Sequence, residues 1–333
     1  MRHLLAVQSQ DYPNAKWAVG QRLDGAVDAG LDRAFDAGEI VRLHVLRPTW
    51  HVVAPEDLRW LVALTAPRVR QASAFQYRLL EIDAALLARC RAVIETALVG
   101  GLALTREELG ARLEAGGIHA TGARLAYLVS DHELDAVVCS GPRRGKRQTY
   151  ALVDERIPQT RPRARDEALA ELARRYVEGH GPAQVADLAW WSGLTVSDAR
   201  TALESASPPL VREAVGERIF WTSPAAPAPV VDGPVVRLLP NYDEMLVAFR
   251  DRTDAFDPGL PPASRVPQVI LGHVIVRDGL VVGSYRRRDD RSVTTLALDP
   301  QVELGNAGRQ ALRLAVERFA TFLGQAVETA GLD

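Results

Sequence analysis

Residues 136–153 read Ala-Val-Val-Cys-Ser-Gly-Pro-Arg-Arg-Gly-Lys-Arg-Gln-Thr-Tyr-Ala-Leu-Val. Two β-prone runs, Ala136–Cys139 and Thr149–Val153, flank a glycine-containing segment with four cations. This pattern is typical of a β-hairpin with a charged tip. The predicted tip contains Arg143, Arg144, Lys146 and Arg147.

Three helical patterns precede this hairpin. Apolar residues recur at helical spacing from Leu86 to Leu98, where Gly100-Gly101 ends the pattern. Thr105-Arg106-Glu107-Glu108 is a capping box, which predicts the start of a short second helix. A third helix is predicted from about Thr121 to His132, with Arg124 on its outer face. Three helices and a hairpin predict a winged helix, a helix-turn-helix variant, in residues 83–160.

The same order of elements recurs in residues 161–229. Apolar residues from Leu169 to Tyr176 predict a first helix, and a hairpin is predicted around Gly216. The repetition indicates a duplicated module. The stretch closes with a predicted extended linker, Ser223–Pro229, because each proline fixes φ and removes a hydrogen-bond donor.

The two ends of the chain complete the predicted organisation. Residues 1–82 resemble a shortened winged helix, with a helix from Met1, a second helix after Pro13 and a hairpin near residues 40–53. Residues 230–333 contain three β-prone runs, Val266–Val276, Leu280–Tyr285 and Val293–Leu298, and then a long helix. We therefore predict a mainly α fold with a small β component: three tandem winged-helix modules and a C-terminal α+β, barrel-like domain.

Composition excludes several classes of protein. The chain has 333 residues, 47% of them hydrophobic and 25% charged, which is typical of globular and not of disordered proteins. The net charge of -2 means that any nucleic-acid surface must be local. The two cysteines, Cys90 and Cys139, are too few for a disulfide framework or a zinc site, and they predict a reducing, cytoplasmic setting. No apolar run is long enough to span a membrane, so no membrane partner is predicted.

The cations of the hairpin tip are the clearest sign of a binding partner. Arginine and lysine side chains on a glycine-flanked loop suit contact with phosphates or entry into the minor groove. A solvated hairpin tip also often carries charge, but its place on the wing of a helix-turn-helix module favours nucleic acid. Arg124, on the outer face of the third helix, is a further candidate for contact with DNA.

The segment Gln8-Ser9-Gln10-Asp11 contains the candidate catalytic residues. A carboxamide offers an acceptor and two donors without titrating, so two of them at a helix end near Pro13 suit the binding of water beside a developing cation. Paired glutamines are more often surface or capping residues, and that alternative stays open. Asp11 is either a helix cap or an assisting base, and the cap is favoured.

Two other groups are candidates for a cleft. His51, in the first hairpin, either approaches DNA or packs inside the hairpin, and packing is favoured. Asn241-Tyr242-Asp243-Glu244 places two carboxylates side by side, but no further ligands are spaced to complete a metal site, so a structural or DNA-cleft role is favoured. For that reason we predict no metal. We also predict no cofactor, and the chain has no glycine-rich phosphate loop of the nucleotide-enzyme type.

Four stretches together resemble a known family. They are Leu4–Pro13, Trp17–Arg22, Arg47–Trp60 and Leu239–Glu244. In order and spacing they are similar to the tandem winged-helix family of alkylpurine DNA glycosylases, the AlkZ-like family. The resemblance covers nearly the whole chain.

The resemblance implies an activity and a site. Members of the family hydrolyse the N-glycosidic bond of alkylated purines, with a catalytic motif of glutamine, an aliphatic residue and glutamine. The outer positions match Gln8 and Gln10, whereas Ser9 stands where the family has an aliphatic residue. The family's first helix lies upstream of this motif, and because seven residues precede Gln8 we predict a first module that is short at its N-terminus.

The implied partner is alkylated double-stranded DNA, and we expect a monomer that acts on the nucleoid. A purine alkylated at N7 or N3 is cationic and already a good leaving group, so the enzyme needs only to position water and to stabilise an oxocarbenium-like sugar. Two alternatives stay open, because fold does not settle function. They are a non-catalytic DNA-binding protein, such as a regulator or lesion-binding factor, and a scaffold that binds protein.

Overall fold

The structure is a computed structural model, and it describes residues 1–224, 232–265, 269, 271–290 and 293–331. The chain divides into two compact units, which are described separately. Unit 1 consists of Met1–Ala6 and Asp32–Ser223, and unit 2 consists of Val7–Leu31 and Pro224–Asp333. Most of the predicted linker, residues 225–229, lies outside the described residues.

Helices and strands alternate along the chain in a mixed fold. The helices are α1 (Tyr12–Gly20), α2 (Asp28–Ala37), α3 (Pro55–Leu79), α4 (Ala84–Leu98), α5 (Arg106–Ala115), α6 (Gly122–Leu134), α7 (Val153–Arg156), α8 (Arg165–His180), α9 (Val185–Ser192), α10 (Val196–Glu204), α11 (Glu244–Val247) and α12 (Gly305–Leu323). The strands are β1 (Ala6–Gln8), β2 (Val41–Val45), β3 (Arg47–Val53), β4 (Leu104–Thr105), β5 (Val138–Ser140), β6 (Thr149–Leu152), β7 (Val211–Val215), β8 (Arg218–Thr222), β9 (Val236–Leu239), β10 (His273–Arg277), β11 (Leu280–Asp289), β12 (Val293–Pro300) and β13 (Ala326–Ala330).

Unit 1 contains a hairpin that follows helix α2. Strands β2 and β3 pair antiparallel, with an irregularity in register between His44 and Val45. Leu46, at the turn, has φ of +65°. Helix α3 follows directly and has Pro55 in its first turn, where a missing N–H costs nothing.

Helices α4, α5 and α6 and a three-stranded sheet pack around one core in the middle of unit 1. The sheet has the order β4-β6-β5, so β5 and β6 pair with each other and β6 also pairs with β4. Buried apolar residues of the three helices, such as Leu98, Leu109 and Leu128, form this core. The predicted capping box is present: Thr105 accepts from the Glu108 amide, and Glu108 accepts from the Thr105 amide. The Tyr127 ring packs edge-on against Tyr77 on this core.

The last part of unit 1 has the same order of elements. Helices α8, α9 and α10 are followed by the antiparallel hairpin β7–β8. Trp191, which is fully buried, packs against the rings of Tyr176 and His180. The Ala183 and Trp221 backbones are joined by a β-bridge, which ties the hairpin to the loop before α9.

Unit 2 is built on a five-stranded sheet with the order β13-β12-β11-β10-β9. Strand β13 runs parallel to β12, whereas the other neighbours are antiparallel. The long helix α12 lies where the sequence predicts it. Strand β10 begins at His273 and not at Val266, and residues 266–268 and 270 of the predicted strand lie outside the described residues.

The prediction of a helix from Met1 is wrong. Residues 2–4 form turns, Leu5 has φ of +64°, and Ala6–Gln8 form strand β1, which crosses the boundary between the two units. The left-handed backbone at Leu5 ends any helical start. The next three residues, Ala6–Gln8, are all buried.

Helix α1 packs on α12 through one tryptophan. The Trp17 ring lies 4.8 Å from the Phe319 ring and 5.1 Å from the Phe322 ring. Its indole N–H donates to the Leu238 carbonyl over 2.6 Å. Trp17 therefore joins the N-terminal part of unit 2 to both the helix and the sheet of its C-terminal part. Among the described residues, none of the helices combines the length and the apolar character that a bilayer crossing requires.

Gly20 is the point of closest approach between α1 and α12, and it generates a prediction. A Cβ atom added at Gly20 would overlap with Cε2 of the Phe322 ring, which is itself buried. We expect Gly20→Ala to lower the free energy of unfolding by about 1–3 kcal/mol, because the overpacked ring has no free space to enter. Chemical denaturation measures this difference, and an unchanged midpoint would contradict the close packing.

Candidate active site

Gln8 and Gln10 lie where strand β1 passes into helix α1. Gln8 is the last residue of β1 and is 6% exposed, Ser9 is fully buried, and Gln10 is exposed in the bend that follows. Asp11 is the N-cap of α1 and accepts from the Asn14 amide over 3.2 Å. The expected helix end at Pro13 is wrong: Pro13 lies in the first turn of α1, where proline is favoured.

The backbone of Gln8 is held by a buried carboxylate. The Gln8 amide donates to Oε1 of Glu244 over 2.6 Å, and Glu244 is 1% exposed. A hydrogen bond to an ionised acceptor is shorter and stronger than one between neutral groups. Glu244 therefore fixes the end of β1 just before the exposed Gln10.

Asp243, the neighbour of Glu244, forms an ion pair with the end of the same N-terminal segment. The Arg22 guanidinium donates to both Asp243 oxygens, over 2.7 and 2.8 Å, and Gln21 Nε2 donates to Oδ2 over 3.2 Å. Burial alone would lower the pKa of Arg22. The hydrogen bonds to Asp243 and the charges of Asp243 and Glu244 raise it by more, so the pKa lies above its ordinary value. The Asp243 carboxylate also caps α11 by accepting from the Met245 amide.

Asn241 makes a third connection. Its Oδ1 accepts from Asn14 Nδ2 over 2.8 Å, and its amide donates to Nδ1 of His273 over 3.3 Å. Burial, assisted by the charge of Arg287, lowers the pKa of His273 to about 4. The imidazole is therefore neutral at pH 7, as an acceptor at Nδ1 requires. Tyr242, between these contacts, has a left-handed backbone with φ of +58°.

Residues Asn241–Glu244, which we term the anchor turn, thus hold the segment Gln8–Arg22 at its start, middle and end. The contacts are made by Glu244, Asn241 and Asp243. Both carboxylates of the predicted cleft are occupied by these contacts. Among the described residues, no three histidine, cysteine or acidic side chains lie close enough together to hold a metal.

His51 and the basic hairpin belong to unit 1. His51 is fully buried in β3, and its Nδ1 lies 3.1 Å from the Thr49 carbonyl oxygen. This is the packed arrangement that the sequence favoured. Arg124, half-buried on α6, donates to the Glu81 carbonyl over 3.4 Å.

The four cations of the hairpin tip differ in their surroundings. Arg144 donates to both carboxylate oxygens of Glu108, over 2.8 and 2.5 Å. This hydrogen bond to Arg144 lowers the pKa of Glu108 to about 2. The Arg143 amide donates to Asp36, whereas Lys146 and Arg147 have exposed side chains. One of the four charges is thus balanced inside unit 1.

Comparison with known proteins identifies the family. The family model for AlkZ-like DNA glycosylases matches residues 1–322. The chain belongs to the AlkZ-like DNA glycosylase family. A solved structure, the DNA glycosylase AlkZ of Streptomyces sahachiroi, shares the fold: it is 19% identical, covers 99% of this chain and 92% of its own, and has a TM-score of 0.77. None of the curated proteins matches the sequence.

Sequence reasoning on this AlkZ-like chain missed the partners of the candidate residues. Arg22 stands in a stretch that carries the family resemblance but was not a candidate, and Glu244 was considered only as part of a cleft, not as the partner of Gln8. Asn14 and His273 have no local signal, because their partners lie 227 and 32 residues away. The adjacent carboxylates of the anchor turn were the one sequence feature that could have indicated these contacts, because two neighbouring acids need separate partners when they are buried.

His273 generates a prediction on pH. Its folded pKa of about 4 lies below the ordinary value of 6.5, so between these values the unfolded chain binds more protons. The contribution of neutral His273 to stability is therefore fully present above pH 6.5, falls as the pH drops toward 4, and falls no further below that. NMR titration of the imidazole measures the pKa, and His273→Gln should flatten the stability profile in this window. A midpoint near 6.5 would contradict the buried acceptor.

Proposed function

We propose that this chain is a monofunctional glycosylase that hydrolyses the N-glycosidic bond of alkylated purines in double-stranded DNA. Membership of a DNA glycosylase family over residues 1–322 is the observation that carries the proposal. The substrate and the roles of Gln8 and Gln10 go beyond family membership. They are supported by the match of both residues to the family motif and by the contacts that hold their segment.

The chemistry suits neutral amide groups. Loss of an alkylated, cationic purine leaves positive charge on the sugar, and the purine departs without protonation. The remaining requirements are a water molecule placed at C1′ and a dipole directed at the oxocarbenium-like sugar. The side-chain oxygens of Gln8 and Gln10 supply such dipoles without changing charge near pH 7.

Asp11 is better suited to a structural role than to that of a base. Its carboxylate accepts from the Asn14 amide and caps α1. The cap satisfies one of the free amides at the start of the helix. In the proposed mechanism Asp11 therefore orients the helix that follows Gln10.

We also propose that three tandem winged helices, residues 1–82, 83–160 and 161–229, precede a C-terminal domain in residues 230–333. The order of helices and hairpins in α4–β6 and in α8–β8 supports the second and third modules. In the second module, β5 and β6 form the wing and α6 occupies the position of a recognition helix. The Gly145-containing tip of the wing is then directed at DNA.

Base release tests the proposed activity. DNA that carries 7-methylguanine should lose the free base on incubation with the chain, and Gln8→Ala or Gln10→Ala should slow single-turnover release by about 100-fold, because a preorganised dipole at the sugar is removed. Chromatography of the released base measures the rate. Gln159→Ala, at an exposed glutamine of unit 1, is the matched control and should keep the wild-type rate.

The outcomes of this assay separate the alternatives. Tight binding of DNA without release of the base would contradict the proposed activity and support a non-catalytic DNA-binding protein. Release that survives both substitutions would remove the two glutamines from the mechanism and leave the activity in place.

The wing yields a second prediction. Lys146 and Arg147 are exposed, so the variant Lys146→Gln/Arg147→Gln should flatten the slope of log affinity against log salt by about 2. Glu108→Gln should steepen that slope by about 1, because the charge of Arg144 is then no longer balanced by a carboxylate. Fluorescence anisotropy at several salt concentrations measures both slopes.

Arg91→Gln provides the control for charge. Arg91 is exposed on α4 and pairs with Glu95. The substitution therefore removes one positive charge from unit 1 at a position outside the wing. Its slope should equal that of the wild type. Equal slopes for all variants would show that the wing does not touch DNA.

A further inference from the structure

Glu244 is a buried acid next to the candidate catalytic motif. We propose that Glu244 is a positioning residue, which sets the place of Gln8 and Gln10 at the reacting sugar; this rests on the function proposed above. The geometry that points to it is the 2.6 Å hydrogen bond from the Gln8 amide to Glu244 Oε1.

The cost of burying Glu244 indicates a role beyond packing. A buried carboxylate loses its hydration, and a well-packed apolar side chain of similar size is often as stabilising or more so. Glu244 is 1% exposed and its neighbour Asp243 is equally buried, so two acids share a small region. The ion pair with Arg22 balances Asp243 directly, whereas Glu244 Oε1 is directed at the end of β1.

Glu244 is held in place through its neighbour Asp243. It is the first residue of α11, which Asp243 caps through the Met245 amide. Asp243 is in turn held by the two hydrogen bonds from Arg22. The Glu244 carboxylate is therefore held in a fixed position by the anchor turn, and its position determines where the Gln8 backbone lies.

Contact through the backbone has a specific consequence. The Gln8 amide belongs to the main chain, so a change of the Gln8 side chain leaves its hydrogen bond to Glu244 in place. Loss of the Glu244 carboxylate instead removes the hydrogen bond that fixes the end of β1. Gln10, two residues later, then also loses its fixed position. A displacement of about 1 Å at a reacting group costs on the order of 100-fold in rate. DNA affinity depends mainly on phosphate contacts, so it should change little.

The experiment compares Glu244→Met, which keeps the length and removes the acceptor, with Glu244→Gln, which keeps an acceptor oxygen. We expect Glu244→Met to slow single-turnover base release from 7-methylguanine DNA by about 10- to 100-fold, with the affinity for DNA within about twofold of wild type. Glu244→Gln should retain release within about fivefold. Amide exchange of Gln8, followed by mass spectrometry, should accelerate in Glu244→Met only.

A double-mutant test separates positioning from general weakening of the fold. In a Gln8→Ala/Gln10→Ala background the Glu244→Met change should cause no further loss, because the groups that it positions are gone. Asp57→Leu is the matched control: Asp57 is a buried acid in unit 1, paired with Arg175. It should leave the release rate unchanged at temperatures well below its melting point.

Each outcome decides between the two proposals. No release by the wild-type chain overturns the proposed function and this role with it. Release by wild type together with full activity of Glu244→Met overturns the role alone. The role is also overturned if the losses multiply in the double-mutant test, or if Glu244→Met weakens DNA binding and leaves the rate of bound complexes unchanged.

Discussion

The buried acids of the anchor turn bind the N-terminal segment of unit 2 at its two ends. Asp243 and Glu244 bind residues more than 200 positions earlier in the chain, at Arg22 and Gln8. A segment as short as Val7–Leu31 cannot build a core of its own. It is ordered because polar contacts fix its two ends and Trp17 packs on Phe319 and Phe322 between them.

Those long-range contacts explain what the sequence could and could not predict. Helices such as α4 and α5 follow from periodic leucines and a capping box, signals that lie within 15 residues or fewer. Strand β1 has three residues and β9 has four, too few for a period to show. Strand β13 is largely exposed and pairs in parallel with β12, so it carries no apolar alternation.

The candidate site divides in the same way. Gln8 and Gln10 were found by resemblance to a family motif, and Asp11 by its capping chemistry. The sequence shows that a residue is charged but not whether it is available to bind a phosphate. Arg144 lies among three other cations, yet its guanidinium is bound to Glu108. Likewise two adjacent acids suggest a metal, but here one is a counter-ion and the other accepts from a backbone amide. Side-chain partners depend on tertiary contacts, which single-sequence patterns do not contain.

The placement of the acids also fits the chemical demand of the proposed reaction. A leaving group that is already cationic needs no strong acid, and an activated sugar needs no strong base, so most of the rate enhancement must come from placement and from fixed dipoles. An enzyme of this kind gains little from a titrating carboxylate at the sugar. Such an enzyme gains more from a carboxylate that is buried and that fixes the backbone carrying the neutral glutamine side chains. Glu244 accepts a hydrogen bond from that backbone at the Gln8 amide, while Gln10 is exposed.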